Sequence, residues 1–204
     1  MIRILCVLTG YFLGCIQTAY LAGKIKQNID IRHHGSGNAG TSNAVRVLGF
    51  GTGVIVFICD LLKAIIAFII CAQLYNGANP LILGMYGGLG AVLGHNFPVF
   101  LRFKGGKGIA ASLGVLIALD WRASLIVLAV GVILIAATRF ISLASMTMLI
   151  LMPVMCFTFR LPPEIGIIAL FLAVMALVQH RENIKRLIEG KERKFSFKHD
   201  PNQV

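Results

Sequence analysis

The residues able to do chemistry are gathered in three stretches of an otherwise oily chain. From His33 to Arg46 the sequence reads HHGSGNAGTSNAVR, with two imidazoles, two serines, a threonine, two asparagines, an arginine and three glycines in fourteen residues. The second is GHNFPVFLRFKGGKG, Gly94 to Gly108, and the third is HRENIKRLIEGKE, His180 to Glu192. All three are rich in hydrogen-bond donors and cations, so an anion is the ligand they suit. Glycines let backbone N–H groups turn inward as a nest, and in Lys104-Gly105-Gly106-Lys107-Gly108 full charges flank them. A helix starting at Ile109 would add its positive end. The Walker A spacing is absent, and no acidic partner for a nucleotide-bound magnesium accompanies the loop. Alone, such a loop beside a membrane is more often an anchor for anionic lipids.

Asn43 and Arg46 lie three apart and share a face once a helix begins, with Ser36 or Ser42 as the expected N-cap. His180 and Asn183 repeat that spacing, and Arg186 follows one turn on. Asp60 and Lys63, also three apart, are expected to pair inside an apolar segment; a strut between helices and direct ligand contact are equally good readings of that pair. His95 and Asn96, about two turns before Arg102, are open to the same two readings. The acids of the polar stretches form no carboxylate cluster of the kind magnesium favours, so neither metal nor cofactor is expected. Five cysteines, all in apolar stretches and without C-x-x-C spacing, read as small buried side chains.

What must position these groups is a membrane fold. Hydrophobic residues make up 57% of the 204, charged residues only 13%, and mean hydropathy is +0.84, outside the soluble range. A span needs roughly 20 apolar residues, fewer inside a bundle. Seven transmembrane helices are predicted, over Ile2–Gly23, Phe50–Leu74, Pro80–Leu101, Ile109–Leu119, Ala123–Thr138, Ile141–Phe159 and Glu164–Gln179, with a tight interfacial turn at Asp120-Trp121-Arg122. The fold expected is all-α and polytopic, one membrane-embedded domain over residues 1–204, with a basic and poorly constrained tail from Lys191 to Val204. The first span resembles a secretory signal only faintly and is read as uncleaved. With the N-terminus outside, fifteen lysines and arginines fall on the cytoplasmic side and only Arg3, Arg122 and Arg160 outside, as the positive-inside rule requires. The C-terminus is then cytoplasmic, and all three polar stretches share one face, where a single site is expected.

Gly35–Arg46, Gly94–Ser112 and His180–Glu192 resemble the three cytoplasmic signatures of the bacterial membrane glycerol-3-phosphate acyltransferases that use acyl phosphate. The resemblance runs over essentially the whole chain and takes in Asp60-Leu61-Leu62-Lys63 and Ser142 after Arg139. It implies transfer of a fatty acyl group from acyl phosphate to the 1-hydroxyl of glycerol 3-phosphate at the cytoplasmic face of the inner membrane, yielding 1-acylglycerol 3-phosphate and phosphate. Partners are then these two substrates and membrane lipid, with no nucleic acid. Ser36, Lys104 and the Gly105–Gly108 backbone are placed around the donor phosphate, with Ser142 as a further donor. Arg46, His180 and Asn183 go to glycerol 3-phosphate, Asn38, Asn43 and Lys107 to either phosphate, and His95 lies near. The His/Asp dyad of acyl-CoA acyltransferases, five residues apart, is absent: Asn38, Ala39, Phe100, Lys185 and Val204 occupy that offset. A transporter of a phosphorylated solute is the competing class, set back by having charges deep in a span only at Asp60 and Lys63 and no inverted repeat.

Overall fold

The computed structural model describes residues 1–74 and 79–195, which are helical throughout with short connections. Every apolar segment expected to span is helical. Ile2–Gln27, Phe50–Gln73, Trp121–Thr138 and Ile141–Thr158 are long and apolar enough to cross a membrane alone, and Pro163–Gln179 with Arg181–Ile188, bent by 59°, makes a fifth candidate. Pro80–Asn96 is 17 residues and Ile109–Leu119 is 11, both shorter than a full crossing. The described residues divide into two compact units, Met1–Val115 and 116–195.

The first unit holds α1 (Ile2–Gly14), α2 (Thr18–Gln27), α3 (Thr41–Leu48), α4 (Phe50–Gln73), α5 (Pro80–Asn96) and the start of α6 (Ile109–Leu119). Its centre is α5, which packs on both α1 and α4. Side chains are nearly absent along the α1 contact: a methyl group on Gly90 would run into the Val7 carbonyl, and one on Gly94 into that of Tyr11. Gly10 and Gly14 meet Gly87 and Ala91 in the same way, the small-residue packing that membrane helices use in place of a hydrophobic driving force.

Two boundaries differ from expectation. The first span is not one helix to Gly23 but α1 and α2, separated at Cys15–Gln17. The break persists because its backbone is served by side chains: Gln17 donates to the carbonyl of Gly14, and Lys63 to that of Ile16 at 2.6 Å. The third helix ends at Asn96 rather than Leu101, because Pro98 disfavours helix at Phe97, and a 3₁₀ turn at Val99–Leu101 follows.

The second unit carries α7 (Trp121–Thr138), α8 (Ile141–Thr158), α9 (Pro163–Gln179) and α10 (Arg181–Ile188). Of the turn expected at Asp120-Trp121-Arg122 only Asp120 lies outside helix, since Trp121 and Arg122 already belong to α7. Asp120 caps that helix by accepting from the N–H groups of Arg122 at 2.8 Å and Ala123 at 3.2 Å. The C-terminal segment is not loose from Lys191 on, since Phe195 exchanges hydrogen bonds with Arg139. Lys198 and the rest of the basic tail lie outside the described residues.

Candidate active site

The first polar loop is built by Asn43. Its amide donates to the carbonyls of Ile31 and His34, both at 3.0 Å, and its oxygen accepts from the Ser36 N–H at 2.8 Å. Both amide hydrogens are therefore spent on folding Ile31–Ser36, which assigns Asn43 to the loop's shape and leaves it no donor for a phosphate. Gly35 sits at φ +62°, where a Cβ would strike that same amide. α3 begins without a serine cap, Gly40 standing at the N-cap. The Ser36 side chain is exposed, Asn38 is half-exposed, and Arg46 lies half-buried on α3.

Arg32 ties this loop to the second one. Its guanidinium grips Asp30 at 2.7 Å and donates to the carbonyl of Leu101 at 2.9 Å. The Arg32 hydrogen bond is the main cause holding the Asp30 carboxyl down at about 2. Beside this clamp lies a cavity of about 480 Å³ lined by Arg32, His33, Gly37, Leu101, Arg102, Lys104 and Gly105. The first and second polar stretches thus meet, and Lys104 is exposed at their junction.

The glycine loop does not form the expected nest at its first two glycines. Gly105 N–H donates to the carbonyl of Asn96 at 3.1 Å and Gly106 N–H to that of His95 at 3.0 Å. The end of α5 leaves these carbonyls without helical partners, and the loop satisfies them. Gly106 has no room for a side chain, because a Cβ would meet the His95 ring. Gly108 turns at φ +78°, and its carbonyl accepts from Ser112 N–H at 2.8 Å as α6 begins. Lys107 is half-buried between them.

Below the loop is the ion pair expected from the sequence. Lys63 Nζ lies 2.8 Å from Asp60 Oδ1, both side chains buried, with Thr18 Oγ1 donating to the same carboxylate at 3.2 Å. His95 Nδ1 is 3.0 Å from Lys63 Nζ. Asp60 Oδ1 lies 3.5 Å from the same nitrogen; the ammonium, at the shorter distance and able only to donate, makes Nδ1 the acceptor and assigns the ring proton to Nε2. Asn96, also buried, has neither side-chain polar atom paired among the described residues.

In the second unit the third stretch closes on Glu192. Its carboxylate accepts from Ser142 Oγ and Asn183 Nδ2, each at 2.7 Å, and from Arg186 Nε at 2.8 Å. Burial pushes this carboxyl up, but the three donors together prevail and hold it below the usual glutamate range. His180 is buried, with Nδ1 2.8 Å from the carbonyl of Ala176; a carbonyl only accepts, so Nδ1 carries a proton. The two histidines are thus held in opposite senses.

Ser142, His180 and Asn183 are gathered in one unit, Ser36, Asn38, Arg46, Lys104, Lys107 and the glycines in the other. Arg32 and Glu192 were not among the residues singled out from the sequence. Arg32 adjoins the polar run, and Glu192 closes the third stretch, yet only folding shows what each clamps. Among the described residues no group of three or more histidines, cysteines and acids is placed to hold a metal.

A helical, membrane-embedded chain that lines a cavity with cations defines an integral membrane protein handling an anion. The chain belongs to the glycerol-3-phosphate acyltransferase family, whose model matches residues 4–190. It is 43% identical to a glycerol-3-phosphate acyltransferase of Thermoanaerobacter sp. (strain X514), over 97% of this chain and 98% of the relative, and 39% identical to that of Clostridioides difficile (strain 630), over 96% of each. Its fold is similar to the crystal structure of PlsY (YgiH), an integral membrane glycerol 3-phosphate acyltransferase. The glycerol 3-phosphate form gives a TM-score of 0.88 at 35% identity, covering 95% of this chain and 96% of that one. The lysophosphatidic acid form gives 0.86 at 34%, covering 96% of each.

Proposed function

We propose that this protein transfers a fatty acyl group from acyl phosphate to the 1-hydroxyl of glycerol 3-phosphate, releasing 1-acylglycerol 3-phosphate and inorganic phosphate. The observation that carries the reading is the cation-lined cavity between the first two polar loops, in a chain of this family whose helices also expose large apolar side chains, Ile55, Ile58, Leu62 and Ile66 of α4 among them. A donor with an anionic head and an oily tail matches both surroundings. Family membership supports the acceptor. The site is proposed to face the cytoplasm of a bacterial inner membrane, in a seven-span topology with the N-terminus outside, which the sorting of basic residues supports. The whole chain is read as one acyltransferase domain.

Acyl phosphate is a mixed anhydride, so neither nucleotide nor covalent intermediate is needed. The 1-hydroxyl oxygen attacks the acyl carbon, the carbon–oxygen bond to phosphate breaks, and that bond's electrons leave with phosphate. A phosphate oxygen takes the hydroxyl proton, its second pKa being roughly 6 in phosphorylated side chains. Lys104 and Ser36 are assigned to the donor phosphate, where they offset its charge. On the sequence pattern, Arg46, His180 and Asn183 are assigned to glycerol 3-phosphate, Ser142 to a donor role, and Asn38 and Lys107 to either phosphate. Gly105, Gly106 and Asn43 shape the loops. His95 carries its proton on Nε2 and engages Nδ1 with Lys63, so it is unsuited to act as a base.

Purified protein given acyl phosphate and glycerol 3-phosphate tests the reaction. One phosphate and one 1-acyl product should appear per turnover; phosphate release without acylated product, or acylation at the 2-hydroxyl, would overturn it.

A further inference from the structure

We infer that Asp60 and Lys63, buried on α4 away from the cavity, are positioning residues that set the glycine loop through His95. The inference rests on the proposed reaction only for its kinetic readout. Lys63 Nζ has three hydrogens and three acceptors: the Ile16 carbonyl at the helix break at 2.6 Å, Asp60 Oδ1 at 2.8 Å and His95 Nδ1 at 3.0 Å. Its donor capacity is filled, so the lysine is not a substrate ligand. The imidazole is thereby fixed in tautomer and in plane. The main chain of His95 is fixed as well, since its carbonyl accepts from Gln17 Nε2 at 3.1 Å and from Gly106 N–H at 3.0 Å.

The far side of the ring completes the linkage. Nε2 occupies the space a Gly106 side chain would need, while Gly105 is closed off by the His95 carbonyl and Pro98. The loop is thus seated on the end of α5: at Gly106 by shape against the His95 ring and a hydrogen bond to the His95 carbonyl, and at Gly105 by a hydrogen bond to the carbonyl of Asn96. Lys104 precedes that seat by one residue, so the ammonium that faces the cavity inherits its place from a charge pair inside the helices. A purely structural strut would join α4 to α5 without reaching the loop. Here the same lysine joins α4, the break between α1 and α2, and the histidine under the loop.

Two measurements test this. In protein labelled with nitrogen-15 at histidine, the His95 signals, assigned by their loss in His95→Gln, should show a neutral ring protonated at Nε2. Lys63→Met should abolish that single-tautomer signature. A wild-type ring protonated at Nδ1, or an unchanged ring in Lys63→Met, would overturn the proposal whatever the protein's substrate. The second is a kinetic cycle in acyl phosphate at saturating glycerol 3-phosphate. Gly106→Ala should raise the acyl-phosphate KM about 10-fold or more with a smaller change in kcat, and adding His95→Ala, which vacates the clash, should recover a large part of that loss. Losses that simply multiply would show that ring and loop are not coupled. A wild-type protein inert toward acyl phosphate would instead remove the proposed reaction while the spectroscopic arm still decides the positioning role.

Discussion

At the scale of single residues, the side chains divide into those that present a charge and those that hold another group in place. Lys104 is exposed at the cavity, whereas Asn43 has no donor left to offer. Lys104→Ala is therefore expected to weaken apparent affinity for acyl phosphate more than for glycerol 3-phosphate. Arg46→Ala and Asn183→Ala should show the opposite bias, each by roughly 1.5–3 kcal/mol per lost charge-assisted contact. Paired KM values for the two substrates check this, and equal increases in both would contradict it. The donor types and the Asp60–Lys63 pair were legible because chemistry and helical spacing are local properties. The use of the Gly105 and Gly106 amides was not, since it depends on α5 ending at Asn96 and leaving carbonyls for them to satisfy. Glu192 was passed over for a similar reason: an acid in a basic tail gives no local sign that Ser142, fifty positions earlier, will donate to it.

Glu192 also sets a pH dependence. Its folded carboxyl titrates below the ordinary glutamate value of roughly 4.3, so its contribution to stability is complete above that value and is lost as pH falls through the folded pKa. Wild type should unfold at higher temperature than Glu192→Gln at pH 7, and the gap should narrow as the pH is lowered through the acid range. A gap independent of pH would mean the three hydrogen bonds do not need the charge.

At the scale of elements, helix contacts rely on glycine. Gly94→Leu would drive a side chain into the Tyr11 carbonyl and should destabilise the fold by about 3 kcal/mol, at the upper end of overpacking. Gly166→Ala on α9, with open space around it, should be neutral or stabilising by up to about 1 kcal/mol. Thermal unfolding in detergent compares the two, and similar effects would contradict the packing account. The apolar runs announced the helices of the seven predicted spans, because their length exceeds any reasonable loop, but not the short, polar α3 and α10. The division of the first run at Cys15–Gln17 was hidden, because Gln17 and Lys63 supply its missing hydrogen bonds from outside the run.

At the scale of the whole molecule, the proposed topology puts the polar loops on the cytoplasmic side. Single cysteines at Gln27 and Arg102, in a background without the native cysteines, should resist an impermeant thiol reagent in intact cells and react after lysis. Labelling without lysis would reverse the topology. The central claim is that the donor is acyl phosphate, and the most direct test offers purified protein the same acyl chain as acyl phosphate, acyl-CoA or acyl carrier protein thioester, with glycerol 3-phosphate as acceptor. The account expects 1-acylglycerol 3-phosphate from acyl phosphate alone; product from either thioester at a comparable rate, or none from acyl phosphate, would contradict it.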